Sequence, residues 1–139
     1  MNPKLKDAVM ASFIADALSL GVHWVYDTAD IDKTYGRLET MVTPELAPYH
    51  KPKQKGEFTH YGDQMLALLE SVKQTSGFDL SHFSNSWQNL FKSYNGYIDH
   101  ATKETMENFK SGKNPLKSGS LSSDLAGASR IAPLALFHA

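Results

Sequence analysis

Asp16 lies within a stretch of mostly apolar residues, where an unpaired carboxylate would cost several kcal/mol. It therefore needs partners. Ser12 and Ser19 lie about one turn away on either side, and His23 lies seven positions on, near the same helix face. Two interpretations stay open, a buried structural acid bonded to backbone donors and a carboxylate in an active-site wall.

A second group of polar side chains occupies Thr59 to Gln64, immediately before a predicted helix. A helix N-terminus has positive electrostatic character. Asp63 is most simply an N-cap, and the alternative is a metal ligand in the company of His60 and Tyr61. Magnesium prefers oxygen ligands, whereas zinc would want further nitrogen or sulfur ligands that the sequence does not nominate.

The loop from Lys117 to Asp124 presents hydroxyl groups and flexible backbone ahead of another predicted helix. Such loops often hold phosphate groups through N–H groups and the helix dipole, although serine- and glycine-rich turns are also common without a ligand. Arg130 follows in that helix. It could pair with a phosphate, with Asp16 or with Asp124, and the alternative is an ordinary structural ion pair.

Helices must position these residues, because the apolar periodicity is helical and no alternating strand pattern stands out. Proline and glycine residues make Gly36 to Phe58 a long connection, and Pro133 interrupts the last helix. The pattern predicts five helices, at about Pro3–Leu20, Asp63–Thr75, Asp79 onward, Gly96–Gly112 and Leu125–Phe137. We expect the first helix, apolar on most of its circumference, to lie in a core.

The composition excludes several classes of protein. A net charge of -1 is not that of a nucleic-acid binder, and we interpret Lys51, Lys53 and Lys55 as a solvated loop. The chain has no cysteine, which fits a reducing compartment, and we expect a cytoplasmic protein. The apolar run that Asp16 ends is shorter than the roughly 18 residues that span a bilayer, so no membrane contact is expected.

Three segments, taken in order, resemble the ADP-ribosylglycohydrolase family. Ala15 to Ser19 is similar to the family's first-helix Gly-Asp-Ala-Leu-Gly. Tyr61 to Met65 occupies the position of its Thr-Asp-Asp-Thr-x-Met helix start, and Gly56 to Phe58 precedes it where the family often has Gly-x-Trp. Ser129 to Leu134 matches the Met-Arg-x-Ala-Pro-Leu that follows the family's ribose- and phosphate-contacting loop.

The resemblance implies an all-α fold, an orthogonal multi-helix bundle of which residues 1–139 would form a single partial domain, the N-terminal half. Family members cleave the glycosidic bond between ADP-ribose and an acceptor, using two magnesium ions in a central cleft. Their second set of metal ligands, in an Asp-x-Asp-Thr segment, would come after Ala139. We therefore expect a missing C-terminal half, or self-association through apolar surface near Leu134 and Phe137.

This sequence departs from the family at the metal site. His60, Tyr61, Gly62 and Asp63 stand where the family has Thr, Asp, Asp and Thr, so both magnesium carboxylates are absent from their usual places. A displaced magnesium site would use Asp63, Tyr61 and His60. His23 stands where many members have an acidic residue, and an imidazole could serve as general acid or base.

By this resemblance, the cleft residues would converge from distant parts of the sequence. The expected catalytic residues are Asp16, His23 and Asp63, and the expected substrate-binding residues are Ser120, Ser122, Ser123 and Asp124. One hypothesis is hydrolysis of an N- or O-glycosidic bond in an ADP-ribosyl or related nucleoside substrate. The other is a non-catalytic relative that binds a nucleotide or sugar, or is purely structural, and has lost the metals.

Overall fold

A computed structural model describes residues 3–136, and every described element is helical. The six α-helices are α1 (Pro3–Ser19), α2 (Thr28–Tyr35), α3 (His60–Thr75), α4 (Leu80–Leu90), α5 (His100–Lys110) and α6 (Ala126–Ser129). Short 3₁₀ turns occupy Leu20–Val22, Pro115–Lys117 and Ala132–Leu136. The all-α class predicted from the sequence is confirmed.

Aspartates begin three of these helices. Asp27 accepts a hydrogen bond from the Ala29 backbone N–H at 2.9 Å, and Asp79 accepts one from His82 at 2.7 Å. Asp99 accepts one from the Thr102 N–H, also at 2.7 Å. Each carboxylate satisfies a donor that the first turn of a helix leaves without an intrahelical partner, so these caps fix where α2, α4 and α5 start.

Several predicted boundaries are wrong. α2 was not predicted, and α3 begins at His60 rather than at Asp63. The closing helix is only four residues long before Pro133 enters a 3₁₀ turn, because proline lacks the N–H that a longer α-helix would use. The prediction of a long connection is confirmed, since no helix lies between Gly36 and Thr59.

The chain divides into two compact units. Unit 1 contains the described residues up to Asp63 together with Asn95–Tyr97, and unit 2 contains Gln64–Tyr94 and the described residues from Ile98 onward. Whether residues 1–139 act as a single partial domain stays a prediction.

In unit 1, α1 buries one face through Val9, Phe13 and Ala17, and Phe13 packs against Phe58 with ring centroids 5.3 Å apart. α1 therefore contributes to a core, but through one face only, because Met10 and Ile14 on its other side are half-exposed. The spacing of the buried residues, four positions, explains the single buried stripe.

In unit 2, the core lies along the apolar stripe of α3 and the aromatic face of α4. Met65, Leu68 and Val72 of α3 are buried, as are Trp87 of α4 and Phe91, which follows it. Leu134 is half-buried, and Phe137 lies outside the described residues, so self-association stays a prediction. Within residues 3–136, none of the helices combines the length and the apolar character that crossing a bilayer requires.

Candidate functional site

Asp16 is anchored to the beginning of α3. Its carboxylate accepts hydrogen bonds from the Thr59 backbone N–H at 2.8 Å and from the Thr59 hydroxyl at 2.7 Å. The same hydroxyl oxygen accepts a bond from the Tyr61 N–H at 3.1 Å, so Thr59, not Asp63, caps the helix. Ser19, expected as a partner of the carboxylate, instead donates to the Asp16 backbone carbonyl.

Gly62 leaves the space that the Asp16 carboxylate occupies. A Cβ added at Gly62 would lie 2.2 Å from Asp16 Oδ2 and 2.7 Å from the Phe58 Cβ. Burial raises the pKa of Asp16, against the lowering effect of the Thr59 hydrogen bonds. Asp63 raises it further, which places both predicted carboxylates within electrostatic reach of each other. Asp16 is thus a half-buried acid that accepts from a backbone donor and from a hydroxyl group, and its catalytic role stays a proposal.

Three histidines from separate segments of unit 1 meet in one cluster. His23 follows the first 3₁₀ turn, His50 lies in the long connection, and His60 is the first residue of α3. Nδ1 of His23 and Nε2 of His50 share a hydrogen bond of 2.7 Å. One nitrogen from each of the three rings lies within 4.8 Å of the other two. We call these residues the histidine cluster.

Aromatic rings enclose the histidine cluster. Trp24 stacks on His23 with centroids 4.4 Å apart, and Tyr61 lies 4.0 Å from His60. Tyr97 meets both Trp24 and His60 edge-on, at 5.1 and 5.4 Å. Trp24 adopts a φ of 62°, a left-handed conformation that costs a bulky residue free energy and often occurs at functional sites. The backbone is thus bent to hold this ring over the imidazole.

Burial lowers the pKa of His23 and of His50, each to about 4. His60 adds to the lowering for His23, and His23, His60 and Lys53 add to it for His50. Both rings are therefore neutral at pH 7, and a neutral imidazole has a lone pair to offer. The neutral state favours a role as a base or as a metal ligand. It disfavours the role of general acid, which the sequence left open for His23.

Asp63 lies in the first turn of α3 and forms an ion pair with Lys53 at 2.6 Å. Lys53 is buried, so the interpretation of all three lysines as a solvated loop is wrong for this one, although Lys51 and Lys55 are exposed. The ammonium already neutralises the one carboxylate of this turn. These residues do not match the oxygen-rich set that a pair of magnesium ions prefers, and magnesium binding stays a prediction.

Unit 2 contains an open cavity of about 460 Å³, a volume typical of small-molecule sites. Its wall includes the aromatic rings of Phe78, Phe83, Trp87 and Phe109. Three of the four predicted substrate-binding residues, Ser120, Ser122 and Asp124, line the same space, while Ser123 is exposed and does not.

The loop that lines the cavity is held by its own side chains. Ser120 Oγ accepts a bond from the Ser122 N–H at 3.4 Å, and Ser122 Oγ accepts one from the Asp124 N–H at 3.2 Å. Asp124 Oδ1 accepts one from the Ala126 N–H at 3.0 Å. The loop is therefore locally ordered with its hydroxyl groups still accessible.

Arg130 is part of a structural network in unit 2. Its guanidinium donates to the Ala126 carbonyl at 2.9 Å and to the Gln64 side-chain oxygen, and it lies 3.7 Å from the Asp99 carboxylate. The Trp87 indole N–H donates to the same Gln64 oxygen at 2.8 Å. The alternative of an ordinary ion pair is therefore the observed one, with Asp99 rather than Asp124.

The sequence nominated His23 and His60 but missed the third histidine. His50 gave no signal because it lies in a proline-containing segment without periodicity. Each member of the histidine cluster adjoins an aromatic residue, yet His82 also adjoins Phe83 and does not belong to the cluster, so that pattern is not specific. Trp24, Lys53 and Thr59 were likewise not predicted as site residues.

Comparison with known proteins gives distant relatives. Crystallin J1A of Tripedalia cystophora is 31% identical over 93 residues, which cover 63% of this chain and 28% of that protein. Crystallin J1B of the same organism is 27% identical over 95 residues, 66% of this chain and 29% of that protein. An uncharacterized protein of Archaeoglobus fulgidus is 25% identical over 139 residues, 99% of this chain and 44% of that protein.

This chain thus spans less than half the length of each of these relatives. No solved structure matches it significantly. The family model described as ADP-ribosylglycohydrolase matches residues 2–139, almost the whole chain, and its fold is helical throughout the described residues. The chain belongs to the ADP-ribosylglycohydrolase family.

Proposed function

We propose that this chain is part of a hydrolase that cleaves an N- or O-glycosidic bond in an ADP-ribosyl or related nucleoside substrate. The observation that carries the proposal is the cavity of unit 2, which Ser120, Ser122 and Asp124 line in the loop where family resemblance puts ribose and phosphate contacts. Because the chain spans less than half of its relatives, the proposal includes further residues from outside it.

The lining of the cavity supports a nucleoside-like ligand. Aromatic rings such as Phe83 and Trp87 offer the apolar faces against which a base can pack. Ser120 and Ser122 offer hydroxyl groups for phosphate or ribose oxygens, and Asp124 offers a carboxylate for ribose hydroxyls. Arg130 has its donors on protein groups, so we assign phosphate binding to the serine loop instead.

Asp16 is our candidate for proton transfer. Glycosidic-bond hydrolysis needs a carboxylic acid that protonates the departing group, and burial that raises the pKa of a carboxyl group suits it to that role. Asp63 acts in this scheme as the partner of Lys53, and we derive no step through a metal ion from it.

A second candidate function is ligand binding without catalysis. The observation that favours it is the Lys53–Asp63 pair, which neutralises a carboxylate of the helix start where the family has its metal ligands. In this alternative the cavity holds an ADP-ribose-type molecule and nothing is cleaved.

One set of assays distinguishes the two candidate functions. ADP-ribose is titrated into the chain in a thermal melt, and release of ADP-ribose from N- and O-linked ADP-ribosyl peptides is assayed with the chain joined to the further residues that the proposal includes. A ligand at one hundred times its dissociation constant should stabilise by about 2.7 kcal/mol. Binding with release supports hydrolysis, binding without release supports the second candidate, and absence of both contradicts both.

Variants test which residues bind the ligand and which are needed for its release. We expect Ser122→Ala together with Asp124→Ala to weaken ADP-ribose binding by about tenfold, since each side chain contributes a polar contact. Ser93→Ala, at an exposed serine outside the cavity lining, is the matched control and should leave binding unchanged. Asp16→Asn should abolish release while ADP-ribose binding persists.

A further inference from the structure

The histidine cluster has the composition of a transition-metal site. Imidazole nitrogen is a preferred ligand of zinc and its neighbours, and three histidines with one open position form a well-known arrangement for zinc. His23, His50 and His60 each offer one nitrogen, and the three atoms lie within 4.8 Å of one another. Magnesium, which takes oxygen, would not select this set.

The geometry requires only a small contraction. Zn–N bonds of about 2.05 Å in a tetrahedral site put ligand nitrogens about 3.3 Å apart. The widest pair in the cluster must then approach by at most about 1.5 Å. Rotation of the side chains covers such distances.

Separate support for a bound ion comes from the buried side chain of His50. This side chain is 1% exposed, and its Nδ1 is buried with no hydrogen-bond partner among residues 3–136. A buried polar atom without a partner costs free energy and is rare in native proteins, unless a water or an ion completes it. Packing alone does not require an imidazole here, because a phenyl ring would fill the stack without that cost.

Aromatic side chains surround the histidine cluster. Trp24, Tyr49 and Tyr97 pack around the imidazoles, and Trp24 adopts a left-handed backbone conformation beside His23. Rings packed in this way restrict the rotation of the ligands. The ligands come from three separate segments, so an ion would also tie α3 to the long connection and to the end of the first 3₁₀ turn.

We propose that His23, His50 and His60 bind one divalent transition-metal ion of the zinc class, with a coordination position left for water or a ligand. The inference does not depend on the glycosidic-bond proposal, because it rests on residues of unit 1 alone. It also differs from the family's magnesium chemistry in ligand type and in the number of ions.

The test uses the chain 1–139, stripped of metal with a chelator and checked for a cooperative thermal melt. Co²⁺ is the probe, because a tetrahedral nitrogen-rich site gives it intense visible absorption, and Zn²⁺ is then added in competition. We expect one Co²⁺ per chain, displaced by one Zn²⁺ and unaffected by excess Mg²⁺. A folded chain that binds no stoichiometric Co²⁺ or Zn²⁺ overturns the proposal.

Variants assign the ligands. His50→Ala and His23→Ala should each weaken Co²⁺ binding on the order of 100-fold or more, while His100→Ala, at an exposed histidine of α5, should leave it unchanged. Equal binding by all variants would contradict the assignment. His50→Phe keeps an aromatic ring in the stack and removes both nitrogens, so it serves where the alanine variant does not fold.

A readout on the unmodified chain is independent of any variant. Among the six histidines, Zn²⁺ should shift the imidazole NMR signals of His23, His50 and His60, while those of His82 and His100 stay in place. Shifts confined to the latter two would place the ion outside the histidine cluster and overturn the proposal. Failure of the ADP-ribose assays would leave these signals unaffected, so the two proposals fail separately.

Discussion

The two units of this chain use buried polar groups in different ways. In unit 1, imidazoles, a carboxylate and an ammonium group contact one another directly, as in the 2.6 Å Lys53–Asp63 pair and the 2.7 Å His23–His50 contact. Unit 2 also contains a shielded ion pair, Arg130 with Asp99, but there hydroxyl and amide groups such as Gln64 and Ser118 border a cavity of about 460 Å³. Unit 1 is therefore suited to hold a charge or an ion, and unit 2 to hold a molecule.

Substitution of glycine tests this difference most directly, and we expect the largest effect from it. Gly62→Ala in unit 1 would place a Cβ 2.2 Å from Asp16 Oδ2, so the carboxylate and Phe58 must shift. We expect a loss of about 3 kcal/mol in the free energy of unfolding, measured by urea denaturation. Gly77→Ala in unit 2 meets nothing within 4 Å and should change stability by less than about 0.5 kcal/mol. Similar costs at both positions would contradict the tight contact.

Secondary structure was predictable from the sequence where a helix buries an apolar stripe. α4 and α5 begin after Asp79 and Asp99, within a few residues of the prediction, and Gly112 with φ of 84° follows α5. α2 was missed because none of its residues is buried, so the sequence carries no apolar stripe there. α3 starts early because Thr59 is bound to Asp16, a contact over 43 positions that local patterns do not reveal.

The candidate site was also predictable only in part, because local sequence patterns do not reveal long-range contacts. Asp16 stood out because a charge in an apolar helix must be paired, and Ser120, Ser122 and Asp124 stood out as a loop before a helix. His50 and Lys53 lie in an irregular segment, where no periodicity predicts which side chains turn inward. Their burial depends on long-range packing, which a single sequence does not encode in any local pattern.

The ion pair of unit 1 should give the next largest effect. Lys53→Met and Asp63→Asn each remove one member of a pair whose side chains are 11% and 17% exposed. A double-mutant cycle by urea denaturation should yield a coupling free energy of about 2 kcal/mol, since the pair is largely shielded from water. A coupling near zero would mean that the pair behaves like a surface salt bridge. The charged contact of unit 1 would then not distinguish it from unit 2.

The amide network of unit 2 should give a smaller effect. Gln64→Leu removes the oxygen that accepts from the Trp87 indole N–H, and we expect a cost of about 1.5 kcal/mol for the buried donor that remains. Gln74→Leu, at an exposed position of the same helix, should cost less than about 0.5 kcal/mol. A loss for Gln64→Leu larger than that for Gly62→Ala would reverse the order of the two units in their sensitivity to substitution.

We expect the smallest effect at Asp16, where the thermal stability should depend on pH. Because burial raises its pKa in the folded chain, the folded carboxyl group binds a proton more readily than the unfolded one. In the pH range above the unfolded pKa the folded state therefore binds more protons, and the contribution of Asp16 to stability falls as pH rises through the folded pKa. Asp16→Asn lacks this titration. We expect the Tm difference between the unmodified chain and Asp16→Asn to be most favourable to the unmodified chain near pH 4 and to decline toward pH 7. A difference that grows with pH would show that the Thr59 hydrogen bonds outweigh burial, and Asp16 would then be a stably ionised structural carboxylate rather than a proton donor.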